Sequence, residues 1–298
     1  MVGMTEAVWR CHDRAFPLGE RTLLMGVVNV TPDSFSDGGR FLHPDDAVKH
    51  AMQLAADGAD ILDVGGESTR PGAEPVSLDA EVARVVPVIE RLRTEVLDIA
   101  ISIDTRHPEV ARAALAAGAD IVNDVTGASA PDTLTAVRES GAGLVLMHMQ
   151  GEPQTMQADP TYDDVVVEVR DFLAERIEAA VSAGVARDRL CVDPGVGFGK
   201  TTAHNLALLR DIVSFRRLGM PVLVGVSRKR FIGELSGVDD PAERVDGTAG
   251  AVAWCAAQGI DVLRVHDVKE MARVVKVVDA IVRGGRARSP GTVTRTAV

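Results

Sequence analysis

Eight short apolar segments of the chain each end on polar residues whose types could bind or transform a small molecule. Taken singly, such a residue is most simply interpreted as a helix cap or a satisfied buried polar group. Eight such positions in regular order indicate a shared site instead. In chain order they are Asn29, Asp63, Asp104, Asn123, His148, Asp193, Ser227 with Arg228 and Lys229, and Arg264 with His266 and Asp267.

Three of these positions suggest recognition of a flat ring. The carboxylates of Asp104 and Asp193 and the amide of Asn123 supply hydrogen-bond acceptors together with an amide donor. This set can read the edge of a planar heterocycle that carries adjacent N–H donors and a carbonyl. The residue types therefore predict a heterocycle-binding pocket.

A second group suggests recognition of an anion. Arg264 and His266 close the eighth apolar segment. A guanidinium suits a phosphate or pyrophosphate because its fork of N–H donors matches the oxygen geometry. The alternative for Arg264 is an ion pair with Asp261 or Asp267, close to it in sequence.

The elements that must position these residues repeat along the chain. Continuous apolar runs without strict alternation are typical of strands buried on both faces, as in a parallel sheet. Helix-period stretches separate them, so that one strand and its helix take about 34 residues. We predict an α/β fold, a single (β/α)8 TIM barrel, because this unit occurs eight times. The eight runs are 23–30, 60–64, 99–104, 120–124, 143–148, 189–193, 220–227 and 261–266.

The barrel prediction places the chemistry at the carboxyl ends of the strands. The loops after the first two strands, 29–39 and 65–75, are rich in Gly, Pro, Ser and Asp, and we expect them to be mobile and to close over substrate. A doubly wound open sheet is the alternative fold, which the absence of a dinucleotide-binding fingerprint after the first strand disfavours. We predict an N-terminal extension at 1–21, the barrel at 22–282 and a flexible tail at 283–298.

Two motifs resemble well-known catalytic sequences without matching them. The stretch 195–201, GVGFGKT, has one residue too few between its glycines for a P-loop. The stretch 225–229, GVSRK, has Lys229 where a nucleophile elbow requires glycine, so Ser227 is a poor candidate for a nucleophile. The seven histidines show no tight zinc-binding spacing.

Charge and composition exclude several functional classes. The formal net charge is −11 and the pI is about 5.1, so binding to nucleic acid or an anionic membrane by charge is not expected. No apolar run is long enough to span a bilayer, and the N-terminus has no apolar signal-peptide core. The three cysteines, Cys11, Cys191 and Cys255, are odd in number and widely spaced. We therefore expect a reduced, cytoplasmic protein.

Several segments together resemble the dihydropteroate synthase family, which joins 6-hydroxymethyl-7,8-dihydropterin pyrophosphate to p-aminobenzoate in folate biosynthesis and is the target of sulfonamides. The resemblance covers roughly residues 22 to 282. It is specific because every family block is present and in order. The blocks are MGVVNVTPDSFSDGG at 25–39, ILDVGGESTRPGA at 61–73, SIDTRHPEVARAAL at 102–115, ADIVNDV at 119–125, LMHMQGEPQTMQ at 146–157, VDPGVGFGKT at 192–201, GVSRKRFIG at 225–233 and RVHDV at 264–268.

The resemblance implies a role for each matching position. The pterin ring would contact Asp104, Asn123, Met147, Asp193, Phe198, Gly225 and Lys229. The pyrophosphate would be held by Asn29, Arg70, Arg264 and His266, with Mg²⁺ as cofactor and Asn29 as its protein ligand. The p-aminobenzoate would lie near Phe35, Thr69, Pro71, Ser227 and Lys229. The catalytic residues implied are Asp104, Lys229, Arg264 and His266.

The resemblance also implies a homodimer, and small molecules, including sulfonamide inhibitors, as partners. Two alternatives stay open at this point. One is a non-catalytic pterin-binding paralogue that keeps the barrel but has lost contacts in its loops. The other is a methyltetrahydrofolate-dependent methyltransferase, which shares the Asp, Asn, Asp set and needs no pyrophosphate site.

Overall fold

The chain folds around eight parallel strands, as predicted. The computed structural model describes residues 7–31, 44–68, 76–95, 98–284 and 294–295. The barrel strands are β3 (Leu23–Asn29), β4 (Ile61–Gly65), β5 (Ala100–Asp104), β6 (Ile121–Asp124), β7 (Gly143–Met147), β8 (Leu190–Asp193), β9 (Leu223–Gly225) and β10 (Val262–Val265).

The strands pair in the order β8-β7-β6-β5-β4-β3-β10-β9. A parallel bridge between Val192 and Val222 joins the two ends of this sheet, and the amide of Val192 donates to the carbonyl of Pro221 at 2.9 Å. The sheet is thus a nearly closed (β/α)8 barrel, and the open-sheet alternative is wrong.

Helices surround the barrel and cover the outward faces of its strands. Their apolar stripes pack against the outward-facing residues of the strands, such as Leu62 and Val64 of β4. No helix in the described ranges is long and apolar enough to cross a bilayer. The helices are α1 (Pro44–Ala56), α2 (Leu78–Glu95), α3 (Pro108–Ala116), α4 (Pro131–Ser140), α5 (Val165–Ser182), α6 (Thr202–Arg210), α7 (Arg230–Ser236), α8 (Val245–Ala257) and α9 (Val268–Arg283).

An antiparallel hairpin fills the amino-terminal end of the barrel. It consists of β1 (Val8–Cys11) and β2 (Arg14–Pro17), within the predicted N-terminal extension. Trp9 and Phe16 are buried, their ring centroids lie 5.7 Å apart, and both belong to the apolar cluster inside the barrel. The hairpin closes this end, so the opposite end, where the strands terminate, is the one available to a ligand.

The tail differs in part from the predicted flexible segment. Helix α9 continues to Arg283, and Thr294–Arg295 form a short strand, β11, that pairs antiparallel with β2. The free edge of β2 offers unpaired N–H and C=O groups, which an extended segment can satisfy whatever its side chains. Composition gives no signal for pairing of this kind.

Candidate active site

The strand period of two places the predicted site residues inside the barrel. On β4, Ile61 belongs to the interior cluster while Leu62 belongs to the outer one, so Asp63 points inward again. The same alternation applies on the other strands. The positions one step above the apolar interior cluster are Val27, Asp63, Ser102, Asn123, Met147, Asp193, Gly225 and Arg264, with Asn29 and Asp104 at the mouth.

Arg264 is held between two carboxylates. Its Nε donates to Asp63 Oδ2 at 2.6 Å, and its Nη2 donates to Asp104 Oδ2 at 2.6 Å. The suggested ion pairs with Asp261 and Asp267 are wrong, because Asp261 accepts from the amide of Val222 and Asp267 pairs with Arg228. The observed partners, Asp63 and Asp104, could not be inferred from local sequence because they are 201 and 160 residues away.

Asp63 also orients the amide of Asn123. Asn123 Nδ2 donates to Asp63 Oδ2 at 3.1 Å, so one oxygen accepts both this bond and that from Arg264. Asp63 closes the second apolar segment, a signal visible in the sequence, but nothing there assigned it a partner. The structure therefore brings together Asp104, Asn123 and Arg264 as predicted, and adds Asp63 at their centre.

Asp193 and Lys229 are positioned by the glycine-rich loop that follows β8. Asp193 Oδ1 accepts from the amide of Gly195 at 2.7 Å. Gly195 has a φ of 66°, and a Cβ there would come within 1.9 Å of the carbonyl oxygen of His148, so only glycine fits. The Lys229 ammonium lies 4.1 Å from the centre of the Phe198 ring, a cation–π contact. The loop thus fixes a ring and a cation side by side rather than forming a phosphate cradle.

Ser227 and His266 meet across neighbouring strands. His266 Nδ1 lies 3.0 Å from Ser227 Oγ, and the His266 amide donates to the same oxygen at 3.2 Å. Arg228, between Ser227 and Lys229, has a φ of 59°, and its amide donates to Thr248 Oγ1 of α8. This turn, strained for a residue with a side chain, directs Ser227 toward His266.

Burial and neighbouring charges shift several pKa values in the interior. Burial raises the pKa of Asp104 to about 7, with the charge of Asp63 adding to the rise and Arg264 opposing it. Burial raises the pKa of Asp193 to about 6 and lowers the pKa of Lys229 to about 8. Perturbed groups of both signs at the same end of a barrel are typical of a functional site.

Lys200 and His148 form a buried pair that the sequence did not predict. Lys200 Nζ lies 2.9 Å from His148 Nδ1 and donates to the carbonyl oxygen of Phe198 at 2.9 Å. Burial lowers the pKa of Lys200 to about 7, and burial with the nearby lysine lowers the pKa of His148 to about 3. Lys200 is the lysine of the GKT letters, so it ties the loop after β8 to the end of β7.

A group of potential metal ligands lies beside the barrel mouth. Ligand atoms of Glu67, Glu81 and His107 fall within 4.8 Å of one another. Each is already engaged: Glu81 accepts from Thr105 and contacts His107 at 2.8 Å, and Glu67 pairs with Arg106 at 3.1 Å. This group therefore works as an internal network that ties α2 to the start of α3.

Four predicted contacts lie outside the described residues. They are Phe35, Thr69, Arg70 and Pro71, together with most of the two predicted mobile loops. Asn29 is described and lies half-buried at the end of β3, in register with Gly65 of β4. The individual ligand roles of all the predicted residues stay predictions.

Comparison with known proteins decides the family. A family model described as "Pterin binding enzyme" matches residues 25–266, from the first barrel strand to His266. The chain belongs to this family. The matched range includes every predicted site residue and leaves out the N-terminal hairpin and α9.

Relatives and solved structures agree with this assignment. The chain is 49% identical over 269 residues to the dihydropteroate synthase of Synechocystis sp., which covers 90% of this chain and 93% of the relative. A structure of the Xanthomonas albilineans dihydropteroate synthase with 4-aminobenzoic acid is 48% identical, with a TM-score of 0.87 over 93% of this chain and 98% of that one. The Yersinia pestis dihydropteroate synthase with a sulfonamide drug is 41% identical, with a TM-score of 0.87 over 92% and 98%. The predicted resemblance and barrel are confirmed.

Proposed function

We propose that the chain is a dihydropteroate synthase, a transferase that condenses 6-hydroxymethyl-7,8-dihydropterin pyrophosphate with p-aminobenzoate to give 7,8-dihydropteroate and pyrophosphate. The observation that carries the proposal is the polar layer inside the carboxyl-terminal end of the barrel, called the recess below, which contains Asp104, Asn123 and Asp193, with Arg264 bonded to Asp104. A relative that is 49% identical to this chain is named as a dihydropteroate synthase. The enzyme acts in folate biosynthesis.

The recess suits the pterin because its polar groups match the ring edge. Asn123 turns its N–H group to Asp63, which leaves the carbonyl oxygen of the amide for a donor of the ring. Asp193 Oδ1 accepts from the amide of Gly195, so Oδ2 would be the oxygen that binds the ring. Met147, buried at the end of β7, and Phe198 supply apolar contact for the flat ring.

The reaction requires two opposite charges to be stabilised at once. The bond from the pterin methylene to the pyrophosphate oxygen breaks, the arylamine nitrogen forms a bond to the methylene, and the amine proton leaves to solvent. As the first bond weakens, the ring gains positive charge and the leaving group keeps the electron pair. Groups fixed beforehand at both ends lower the barrier most.

The chain supplies groups at both ends. Asp104 faces the recess and, when ionised, stabilises the developing cation. Arg264 has its Nε and Nη2 engaged, and no described residue accepts from Nη1, which is therefore available to the pyrophosphate. His266, fixed by its contact with Ser227, adds a second donor at the same mouth. Ser227 and Lys229, which follow β9, would contact the aminobenzoate.

We propose Mg²⁺ as the cofactor, with Asn29 as the protein ligand. The test of fit is the chemistry of the donors: Asn29 offers a neutral oxygen at the mouth, and Mg²⁺ binds by few protein oxygens together with substrate phosphate and water. When bound, the ion would supply Lewis-acid stabilisation of the leaving pyrophosphate. Asn29 would orient the pyrophosphate beside Arg264 and His266.

The same proposal covers partners and location. We propose sulfonamides as inhibitors, since they resemble p-aminobenzoate and a structure of the Yersinia pestis relative is a complex with one. A homodimer through outer helices is supported by exposed apolar side chains on α8 and α9, namely Trp254, Val277 and Ile281. The three cysteines are free and buried, in keeping with a cytoplasmic location.

The test is product formation with single omissions. Purified protein is mixed with the pterin pyrophosphate, p-aminobenzoate and Mg²⁺, and dihydropteroate and pyrophosphate are followed in parallel. We expect equal amounts of both products, which disappear when any of the three is left out. If the protein binds the pterin but forms no dihydropteroate with any divalent metal, the proposal is wrong and the chain is a non-catalytic pterin-binding paralogue.

A further inference from the structure

Asp63 is buried at a place where a charge has an energetic cost. Its side chain is 0% exposed, inside the barrel and directly above the apolar cluster. Burying an ionised carboxylate is unfavourable unless it is paired and hydrogen-bonded. The residues that Asp63 contacts therefore indicate what its presence achieves.

The contacts of Asp63 are with residues of the site. Its Oδ2 accepts from Arg264 Nε at 2.6 Å and from Asn123 Nδ2 at 3.1 Å. Its Oδ1 has no hydrogen-bond partner among the described residues. The carboxylate thus makes both of its bonds on the side of the recess, and a buried ion pair is by itself weak evidence of a stabilising role.

An ionised carboxylate determines which way its partners face. It can only accept hydrogen bonds, so Asn123 must turn its NH₂ group toward Asp63 and its carbonyl oxygen away. The bond to Nε likewise fixes the plane of the Arg264 guanidinium, so that Nη2 reaches Asp104. One oxygen therefore sets the orientation of a ring-reading amide and of an anion-binding guanidinium.

We infer that Asp63 is a positioning residue that fixes Asn123 and Arg264 together, so that the recess recognises the pterin ring and its pyrophosphate as one substrate. The inference rests on the proposed function, whose residues it orients. Asp63 touches neither substrate, and acts through the two side chains that it holds.

The experiment uses Asp63→Asn in the full chain. Asparagine has the same size but brings its own N–H donors, so Asn123 is no longer forced into one orientation and Arg264 loses a charged partner. Binding is measured by titration calorimetry with two probes, 6-hydroxymethylpterin and inorganic pyrophosphate with Mg²⁺. We expect the Kd of each probe to rise about 10- to 100-fold, as the loss of charge-assisted hydrogen bonds predicts, with the KM for p-aminobenzoate within about twofold of the wild type.

A double-mutant cycle separates positioning from direct contact. Asn123→Ala should raise the Kd of 6-hydroxymethylpterin by itself, and adding Asp63→Asn should raise it by much less than in the wild-type background. Asp120→Asn is the matched control, because Asp120 is also a buried aspartate paired with an arginine, Arg93, but it precedes β6 at the amino-terminal end of the barrel. We expect wild-type Kd values for this control.

A merely structural role would give a different result. If Asp63→Asn lowers the melting temperature and the fraction of protein that binds, but leaves the Kd of the binding fraction within about twofold for both probes, the inference is overturned. A second measurement tests the positioning role independently of the proposed function.

Exchange of the Asn123 side-chain amide protons, followed by NMR in the ligand-free protein, should be slow in the wild type and faster in Asp63→Asn. Equal rates would refute the positioning role even if the wild type proved to be no synthase.

Discussion

The lower and upper halves of the barrel interior are built from the same strands with the same alternation, yet their chemistry is opposite. Near the amino-terminal end the inward residues are apolar, as with Ile61 and Ile121, and the hairpin caps them with Trp9. Two residues further along the same strands, the inward residues are Asp63 and Asn123. A single step of the strand period separates the apolar core from the candidate binding site.

This division assigns different tasks to the two halves. The lower half is close-packed and gains free energy from removing apolar surface from water. The upper half buries charges such as Asp63 and Asp104, whose desolvation opposes folding. We therefore expect changes below to alter stability with little effect on binding, and changes above to alter binding or turnover more than stability.

The largest effect is expected in the lower half. Trp9→Ala removes a fully buried ring and its hydrogen bond to the carbonyl oxygen of Arg189. The free energy of unfolding, measured in urea, should therefore fall by about 3–5 kcal/mol. Both KM values should stay unchanged below the unfolding transition. Val8→Ala, on the other face of the same strand, is the control and should cost about 1 kcal/mol or less. A raised KM in a stable Trp9→Ala protein would contradict the division between a stabilising lower half and a binding upper half.

The counterpart in the upper half is Asp104→Asn. The amide keeps the size of the side chain but cannot stabilise a developing cation, so kcat should fall about 10²- to 10³-fold while pterin binding stays measurable. Steady-state kinetics and calorimetry separate the two quantities. Asp171→Asn, exposed on α5, is the matched control with wild-type kinetics expected. Near-normal turnover in Asp104→Asn would remove this residue from its electrostatic role.

The pH dependence of the reaction tests the charges of the upper half. Asp104, with a pKa of about 7, must be ionised to stabilise a cation, so kcat/KM should rise with pH up to that value. Lys229, with a pKa of about 8, loses its ammonium above it, so the rate should fall at higher pH. Rates at pH 5 to 10 should therefore give a bell-shaped profile. The acid limb should be lost in Asp104→Asn, and a flat wild-type profile would contradict both assignments.

Lys200 should affect both stability and the candidate site, because its buried hydrogen bonds hold the loop that follows β8. Lys200→Met should lower the unfolding free energy by about 1–3 kcal/mol, since it leaves the carbonyl oxygen of Phe198 without its donor. The folded pKa of Lys200 lies below its unfolded value, so the folded protein binds fewer protons and wild-type stability rises with pH from about 7 to about 10.

The cost of Lys200→Met should therefore grow over the same range. Urea unfolding of both proteins at pH 7 and pH 9.5 measures it. A cost that shrinks as the pH rises would contradict a buried Lys200 with a lowered pKa.

The division between the two halves explains what the sequence could predict. Buried parallel strands impose continuous apolar runs, and each run ends where the barrel opens, so the position of Asp104, Asn123 and Asp193 at the strand ends could be predicted. The partners of Arg264 were not, because the closing of the barrel, rather than any local pattern, brings β10 beside β3 and within reach of β4 and β5. Asp63 was visible as a strand-ending residue but not as the centre of the network.

The sequence of the N-terminal hairpin has the alternation of a β-hairpin, although this segment was predicted only as an extension of the barrel. In Val8–Cys11 and Arg14–Pro17 every second residue is buried, and two residues separate these strands, which is typical of a β-hairpin. Nothing local shows that this hairpin enters the barrel. Its buried Arg14 donates to the carbonyl oxygen of Asp98, far along the chain. Long-range burial of this kind is a property of the assembled fold.

The smallest effect is expected at the end of the tail, where β11 pairs with the hairpin below the lower half. Ending the chain after Gly284 removes β11, whose two residues pair with Ala15 and Arg14. The hydrogen bonds between β11 and β2 lie at the edge of the hairpin, where water can replace them. The free energy of unfolding should therefore fall by no more than about 1 kcal/mol. Amide exchange of Arg14 and Ala15 should quicken while the barrel strands stay protected. A loss as large as that of Trp9→Ala would mean that the tail is part of the structure that closes the barrel.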